Sequence, residues 1–309
     1  MTVSWRARLD PALRGFAEAR TDLSADTLGA VRASLDQRRR EAAQVLDAPG
    51  VEIIGGRVTL GRRTIAVRIY RGGPSPAPAV VYCHSGAFVL GNLDTDQIQC
   101  VELARRARCT VIAMDYRLAP EAPYPAAFDD AMVVLNWAVA MAAELDIDAD
   151  RIAVAGSSAG GALAAMLAQH SAAGSAPPVV FQALHQPVLD NRRTGSKEEF
   201  ADSPGFDGPA TAAMWRHYSD GRDVPEAAVP ARTDGLAGVA PALITCSELD
   251  PLRDEALDYA RSLLRQQVAT ELHLFAGTCH GFDSLLPEWE VSQQLFALQG
   301  AALRRALHG

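Results

Sequence analysis

The chain has 309 residues, 49% of them apolar, and 37 acidic against 29 basic residues leave a formal charge of −8. That length and apolar content exclude a disordered chain and suit one large α/β domain with an insertion or cap. The acidic balance excludes long-range attraction to nucleic acid or to an anionic membrane surface, and it points to a small neutral or apolar ligand.

In chain order, residues 9–47 are predicted helical in two pieces broken near Thr21–Ser24, with Leu28, Val31, Leu35 and Val45–Leu46 on one apolar face. Val51–Leu60 and Arg62–Tyr70 alternate and are rich in Val and Ile, so they are predicted to form an antiparallel hairpin through Gly61. Residues 72–79, GGPSPAPA, are expected to be a linker. Short apolar runs follow at Val80–Cys83, Thr110–Ala113, Ile152–Ala155, Val179–Ala183, Ala242–Cys246 and Glu271–Phe275. Helical patterns lie between most of them, at 95–107, 126–144, 159–173 and 252–267, and another closes the chain at 288–307. Buried strands alternating with helices predict a mostly parallel sheet covered on both faces, with ligands at the carboxyl ends of the strands. The stretch 187–225 breaks this rhythm with four prolines and an aromatic set. It reads as a long connection with a small core of its own and equally as a cap over the site.

The cysteines, Cys83, Cys100, Cys109, Cys246 and Cys279, are odd in number and form no CxxC pair, so free thiols in a reducing compartment are expected. The opening MTVSWRARLD has no apolar h-region, and the longest mostly apolar stretch, 131–143, is too short to span a bilayer. A cytoplasmic location without a membrane partner is the expectation.

Gly156-Ser157-Ser158-Ala159-Gly160-Gly161 follows a predicted strand and opens a small-residue helix. This is G-x-S-x-G in the strand–turn–helix setting that gives the motif meaning. The turn is tight enough that side chains two residues either side of the serine would collide with backbone. Ser157 has Ala155 and Ala159 at those positions, so Ser158 is the candidate nucleophile. Its partners should follow in the order acid, then histidine. Of seven histidines, only His273, His280 and His308 come late enough. His273 falls inside a strand and His308 beside the C-terminus, whereas His280 sits in the loop after the last strand. Glu248, Asp250 and Asp254 are all available as the acid. The N–H of Ala159 and the loop His84–Asn92 are expected to supply donors to a developing oxyanion.

Together these blocks resemble the bacterial hormone-sensitive-lipase-like esterases, family IV of the α/β-hydrolase fold, from about Val80 onward. HSGAF at 84–88 is similar to HGGGF, DYRLAPE at 115–121 matches a structural block, GSSAGG at 156–161 is similar to GDSAGG, DPLRDE at 250–255 matches, and HGF at 280–282 matches. The resemblance implies a triad of Ser158, Asp250 and His280, with oxyanion donors at Gly86, Ala87 and Ala159. It implies a helical cap at 1–50, a catalytic domain at 51–309 with 187–225 as a second cap insertion, and a homodimer. Phe88, Phe206, Trp215 and Tyr218 are candidate pocket walls. No metal or cofactor is expected. The activity implied is hydrolysis of short- to medium-chain carboxylic esters. An amidase or acyl-transfer specialist on the same triad, and a non-catalytic receptor of this fold, are the alternatives. Three positions depart from the pattern, one of them Ala87 in place of the third glycine of HGGG. Ser85 replaces the first glycine of HGGG, which is expected to cost strain if φ is positive there. Ser157 replaces the usual aspartate before the nucleophile.

Overall fold

The computed structural model describes residues 4–309, so the first three residues of the N-terminal segment lie outside the described residues. Eight strands form one sheet: β1 Glu52–Leu60, β2 Arg63–Arg71, β3 Ala77–Cys83, β4 Thr110–Met114, β5 Ile147–Ser157, β6 Phe181–His185, β7 Ala242–Leu249 and β8 Thr270–Cys279. The α-helices are α1 Trp5–Arg8, α2 Leu28–Val45, α3 Gln97–Ala107, α4 Ala126–Ala140, α5 Ala159–Ala172, α6 Gly195–Glu199, α7 Gly208–Tyr218, α8 Arg253–Arg265, α9 Phe282–Leu285 and α10 Glu290–His308.

The strand order is β1-β2-β4-β3-β5-β6-β7-β8, with only β1 and β2 antiparallel to their neighbours. The predicted hairpin forms, pairing Leu60 with Arg63 across the turn and Glu52 with Arg71 at the far end. The chain winds outward from β3 to β4, then returns to place β5 on the other side of β3. That reversal opens a crevice between the carboxyl ends of β3 and β5, the place where an open α/β sheet receives ligands. The loop after β3 and the turn after β5 both end there.

Apolar side chains cover both faces. Residues of α4, α5 and α8 pack on one, and those of α3 and α10 on the other. The β5 run Ile152–Ser157 and α5 as far as Gln169 are buried throughout, consistent with a strand and helix at the centre of the layers.

Several segments differ from the sequence expectation, among them β5, which begins at Ile147 rather than Ile152, and β8, which runs on to Cys279 rather than ending at Phe275. β3 begins at Ala77, inside the predicted linker, because Ala77 and Ala79 pair with β5 despite their Pro/Gly neighbours. β6 runs two residues later than predicted, which brings His185 into the sheet beside Thr245. Residues 11–16 form a 3₁₀ turn rather than an α-helix, with Asp10 capping it and Pro11 in its first position. From there the chain runs along 200–218, where Gly205 N–H donates to the Ala19 carbonyl at 3.0 Å and His217 Nε2 bonds the Leu23 carbonyl at 2.8 Å.

Candidate active site

Ser158 sits in the turn between β5 and α5 with φ 55° and ψ −118°. A non-glycine residue held there stores strain that its surroundings must impose. They do so through the main chain: Ser158 N–H donates to the His185 carbonyl at 2.8 Å, and its own carbonyl accepts from Val188 at 3.0 Å. The flanking glycines are sterically required. A Cβ on Gly156 would overlap the Gly160 carbonyl, and one on Gly160 would overlap that of Cys83.

His280, in the turn after β8, brings Nε2 to 3.0 Å from Ser158 Oγ. Its Nδ1 lies 2.8 Å from Asp250 Oδ2. Asp250 is fully buried, and its other oxygen accepts the Leu252 N–H at 2.8 Å. The two rival acids are committed elsewhere. Glu248 accepts from Gly277 N–H at 2.8 Å, and Asp254 from Ser196 N–H at 2.7 Å. His273 is exposed on β8 against Phe275, and His308 bonds the Ala107 carbonyl. Ser157 also lines the cavity but makes no side-chain hydrogen bond among the described residues. A serine hydroxyl bonded to an imidazole, itself oriented by a buried carboxylate, can lose its proton as it attacks a carbonyl.

The loop after β3 faces this chain of hydrogen bonds. Gly86, Ala87 and Phe88 all have positive φ (131°, 55° and 59°), and the Gly86 carbonyl turns away to accept from Leu90 at 2.7 Å. Among the described residues, the N–H groups of Gly86, Ala87 and Ala159 have no acceptor. Ser85 lies outside the left-handed region, so the strain expected there falls on Ala87 and Phe88 instead. The DYRLAPE block braces the loop. Tyr116 stacks on His84 at 4.1 Å and donates to its carbonyl at 2.8 Å, while Ala119 N–H donates to the Phe88 carbonyl at 2.9 Å. Burial lowers the His84 pKa to about 4, so this ring is neutral and structural.

A cavity of about 720 Å³ opens onto Ser158 and His280. Leu35, Arg39 and Leu46 from the α2 region form one wall, and Phe206, 4.9 Å from the His280 ring, contributes another. Arg32 fixes α2 in place by donating to the carbonyls of Val89 (2.6 Å) and Ala119 (2.5 Å) and pairing with Glu121. Of the four aromatic wall candidates, only Phe206 lines this cavity. Phe88, Trp215 and Tyr218 are buried against one another, with Phe88 and Tyr218 stacked at 3.8 Å. The left-handed backbone at Phe88 accompanies a ring sunk in the core rather than one facing the ligand.

Sequence reasoning missed Gln186. Its buried side-chain amide accepts the Gly281 N–H at 2.7 Å and donates to the Cys279 carbonyl at 3.3 Å, gripping the backbone on both sides of His280. Nothing local in the sequence signals that contact, which spans the sheet.

A family model described as alpha/beta hydrolase fold matches residues 80–284. The chain belongs to the α/β-hydrolase family. Its relatives fall in the hormone-sensitive-lipase-like branch that the motifs resemble. It is 36% identical to esterase LipI of Mycobacterium tuberculosis over 92% of this chain and 90% of that protein. It is 38% identical to an ethyl acetate hydrolase of Pseudomonas putida, over 71% of each. The crystal structure of esterase LipW from Mycobacterium marinum superposes with a TM-score of 0.97 at 57% identity, covering 98% of each chain.

Proposed function

We propose that this carboxylic ester hydrolase acts on short- to medium-chain esters through an acyl-enzyme on Ser158. The observation that carries the reading is the unbroken hydrogen-bonded series Ser158–His280–Asp250 facing three N–H groups that have no acceptor among the described residues. Ser158 Oγ attacks the acyl carbon as His280 Nε2 takes its proton. The carbonyl oxygen becomes an oxyanion held by the N–H groups of Gly86, Ala87 and Ala159. His280 then protonates the departing alcohol, and Asp250 holds the ring and stabilises its charged form. Water attacks the acyl-enzyme with His280 again as base, and Ser158 leaves with its proton restored. The relation to an ethyl acetate hydrolase supports small acyl groups.

The same reading takes 1–50 and 187–225 as the cap, supported by the α2 region and Phe206 in the cavity wall. A homodimer is supported by the edge strand β8, which exposes Leu272 and Leu274. The five buried free cysteines support a cytoplasmic location. No helix among the described residues is long and apolar enough to cross a membrane.

The test is hydrolysis of p-nitrophenyl acetate and butyrate by the wild type and by Ser158→Ala, Ser157→Ala, His280→Ala and His273→Ala. Ser158→Ala and His280→Ala should each lose at least about three orders of magnitude in kcat, and the other two should not. Wild-type rates in Ser158→Ala would refute the assignment.

A further inference from the structure

Among the described residues, Arg39 is a half-buried cation of the cavity wall that forms no ion pair. From α2 it lines the same cavity as Ser158 and His280. Its Nη1 is buried and has no hydrogen-bond partner among those residues. The carboxylates whose charge it feels are Asp36 and Asp96, and neither forms an ion pair with it. Each is committed elsewhere. Asp96 accepts from Ser85 N–H, Ser85 Oγ and Tyr82 OH, and Asp36 accepts from Asn92 at 3.0 Å. Neighbouring Asp94 is paired with Arg68 at 2.9 Å. Burial works against the Arg39 charge, while Asp96 and Asp36 favour it only from a distance. A buried guanidinium nitrogen without an acceptor is costly, and a carboxylate is the acceptor its planar fork fits best. The mouth of the cavity does not select for anions in general, since it carries exposed Asp47 and Glu288 as well as Arg38.

We infer that Arg39 determines specificity by pairing with a carboxylate carried on the substrate, so that the preferred esters are half-esters or acylated hydroxy acids. This rests on the esterase reading above and narrows its substrate class. The carboxylate can belong to the acyl half or to the alcohol half, and two pairs of isosteric probes separate these sources. Monomethyl succinate against methyl isocaproate places the charge on the acyl half. Acetoxyacetate against isobutyl acetate places it on the alcohol half. In each pair the neutral ester carries an isopropyl group where the charged one has its carboxylate.

Acid release in a pH-stat gives kcat/KM for all four in the wild type, Arg39→Met, Arg39→Lys and Arg38→Met. The quantity read is the charged-to-neutral ratio within each variant, from which any general loss of folded or active protein cancels. In the arm whose carboxylate reaches Arg39, the ratio should fall at least about tenfold in Arg39→Met, mainly through KM. Arg39→Lys should retain part of the preference, and Arg38→Met should leave the ratio within about twofold of wild type. An unchanged ratio in both arms of Arg39→Met overturns the inference. So does an equal fall in Arg38→Met, which would mean that general charge at the mouth is responsible. If the wild type hydrolyses the neutral esters while Ser158→Ala does not, the esterase reading stands whatever Arg39 does. If the wild type hydrolyses none of the four probes nor p-nitrophenyl acetate, that reading fails and takes this inference with it.

Discussion

Ser85 holds the buried carboxylate of Asp96 twice, through its N–H at 2.7 Å and its hydroxyl at 2.8 Å. Tyr82, at the end of β3, donates a third hydrogen bond at 3.0 Å. Asp96 immediately precedes α3, so this contact ties the start of the loop after β3 to that helix. Burial raises the Asp96 pKa, and both bonds from Ser85 oppose the rise. The residue that departs from the family pattern therefore acts as an anchor. Ser85→Ala keeps the N–H bond and loses the hydroxyl. It should cost about 1–2 kcal/mol of stability in urea unfolding and lower kcat several-fold, as the Gly86 and Ala87 N–H groups lose their register. Full stability in the variant would show that Tyr82 and the backbone suffice.

The Gln186 carboxamide is placed to act on rate rather than on affinity. The residue has φ 44°, another strained position, and among the described residues its side chain hydrogen-bonds only to backbone and Ser247. Gln186→Leu removes both grips on the His280 turn without altering the cavity wall. A displacement of His280 by about 1 Å can cost on the order of a hundredfold in rate. The expected outcome is a fall of about ten- to a hundredfold in kcat on p-nitrophenyl acetate with KM little changed. Gln186→Glu, which keeps the acceptor for Gly281, should recover part of the loss. Equal kinetics in the leucine variant and the wild type would mean that the turn is held by other contacts.

Gly160 and Gly29 should respond to alanine with opposite signs. A Cβ at Gly160 would overlap the Cys83 and His84 carbonyls at the end of β3, where neither can move without shifting the loop that follows. Gly160→Ala should lose about 3 kcal/mol or fail to give soluble protein. Gly29 is in the first turn of α2, and a Cβ added there would meet no other atom within 4 Å. Gly29→Ala should therefore be neutral or stabilising by about 0.5 kcal/mol. Denaturant midpoints of the two variants check both.

The elements legible in the sequence were those whose cause is local. The apolar run before Ser158, the glycines that permit its turn and the small-residue helix after it are all consecutive, so the elbow could be read directly. His280 was legible because its loop follows a strand. The candidate acid was legible only through the resemblance of DPLRDE to the family block, because Glu248, Asp250 and Asp254 share one short segment, and what separates them locally is the long-range commitment of Glu248 to Gly277 and Asp254 to Ser196. Asp96, Gln186 and Arg39 were missed for the same reason, since their meaning lies in partners dozens of residues away. The aromatic wall failed at Phe88, Trp215 and Tyr218 because composition cannot tell a ring facing a ligand from one stacked on its neighbours.

Lys197, the only lysine in the chain, forms a buried ion pair with Glu255 at 2.5 Å. Its ammonium also donates to the carbonyls of Asp190 at 2.6 Å and Arg192 at 2.9 Å. Glu255 is buried in the first turn of α8 and accepts the Leu189 N–H at 2.7 Å, so the pair fastens α8 to the segment after β6. Burial pushes the Glu255 pKa up to about 7, with Lys197 pulling the other way. The folded state thus binds this proton more tightly than the unfolded chain, whose carboxyl titrates at the ordinary value. The Glu255 contribution to stability is then fully present below the ordinary carboxylate range and is lost as pH rises through about 7. Lys197→Met removes the opposing charge and lifts that pKa further, so the variant must ionise Glu255 without a partner or keep its proton at a cost. The expected outcome is a small loss at about pH 5 that grows to roughly 3 kcal/mol at about pH 8. Replacing Glu255 with leucine in the same chain should recover much of it, because the uncompensated charge, and not the missing pair, is what destabilises. Urea unfolding of the wild type, the single variant and the double variant at both pH values decides the matter, and a pH-independent loss in Lys197→Met would place its cause in packing instead.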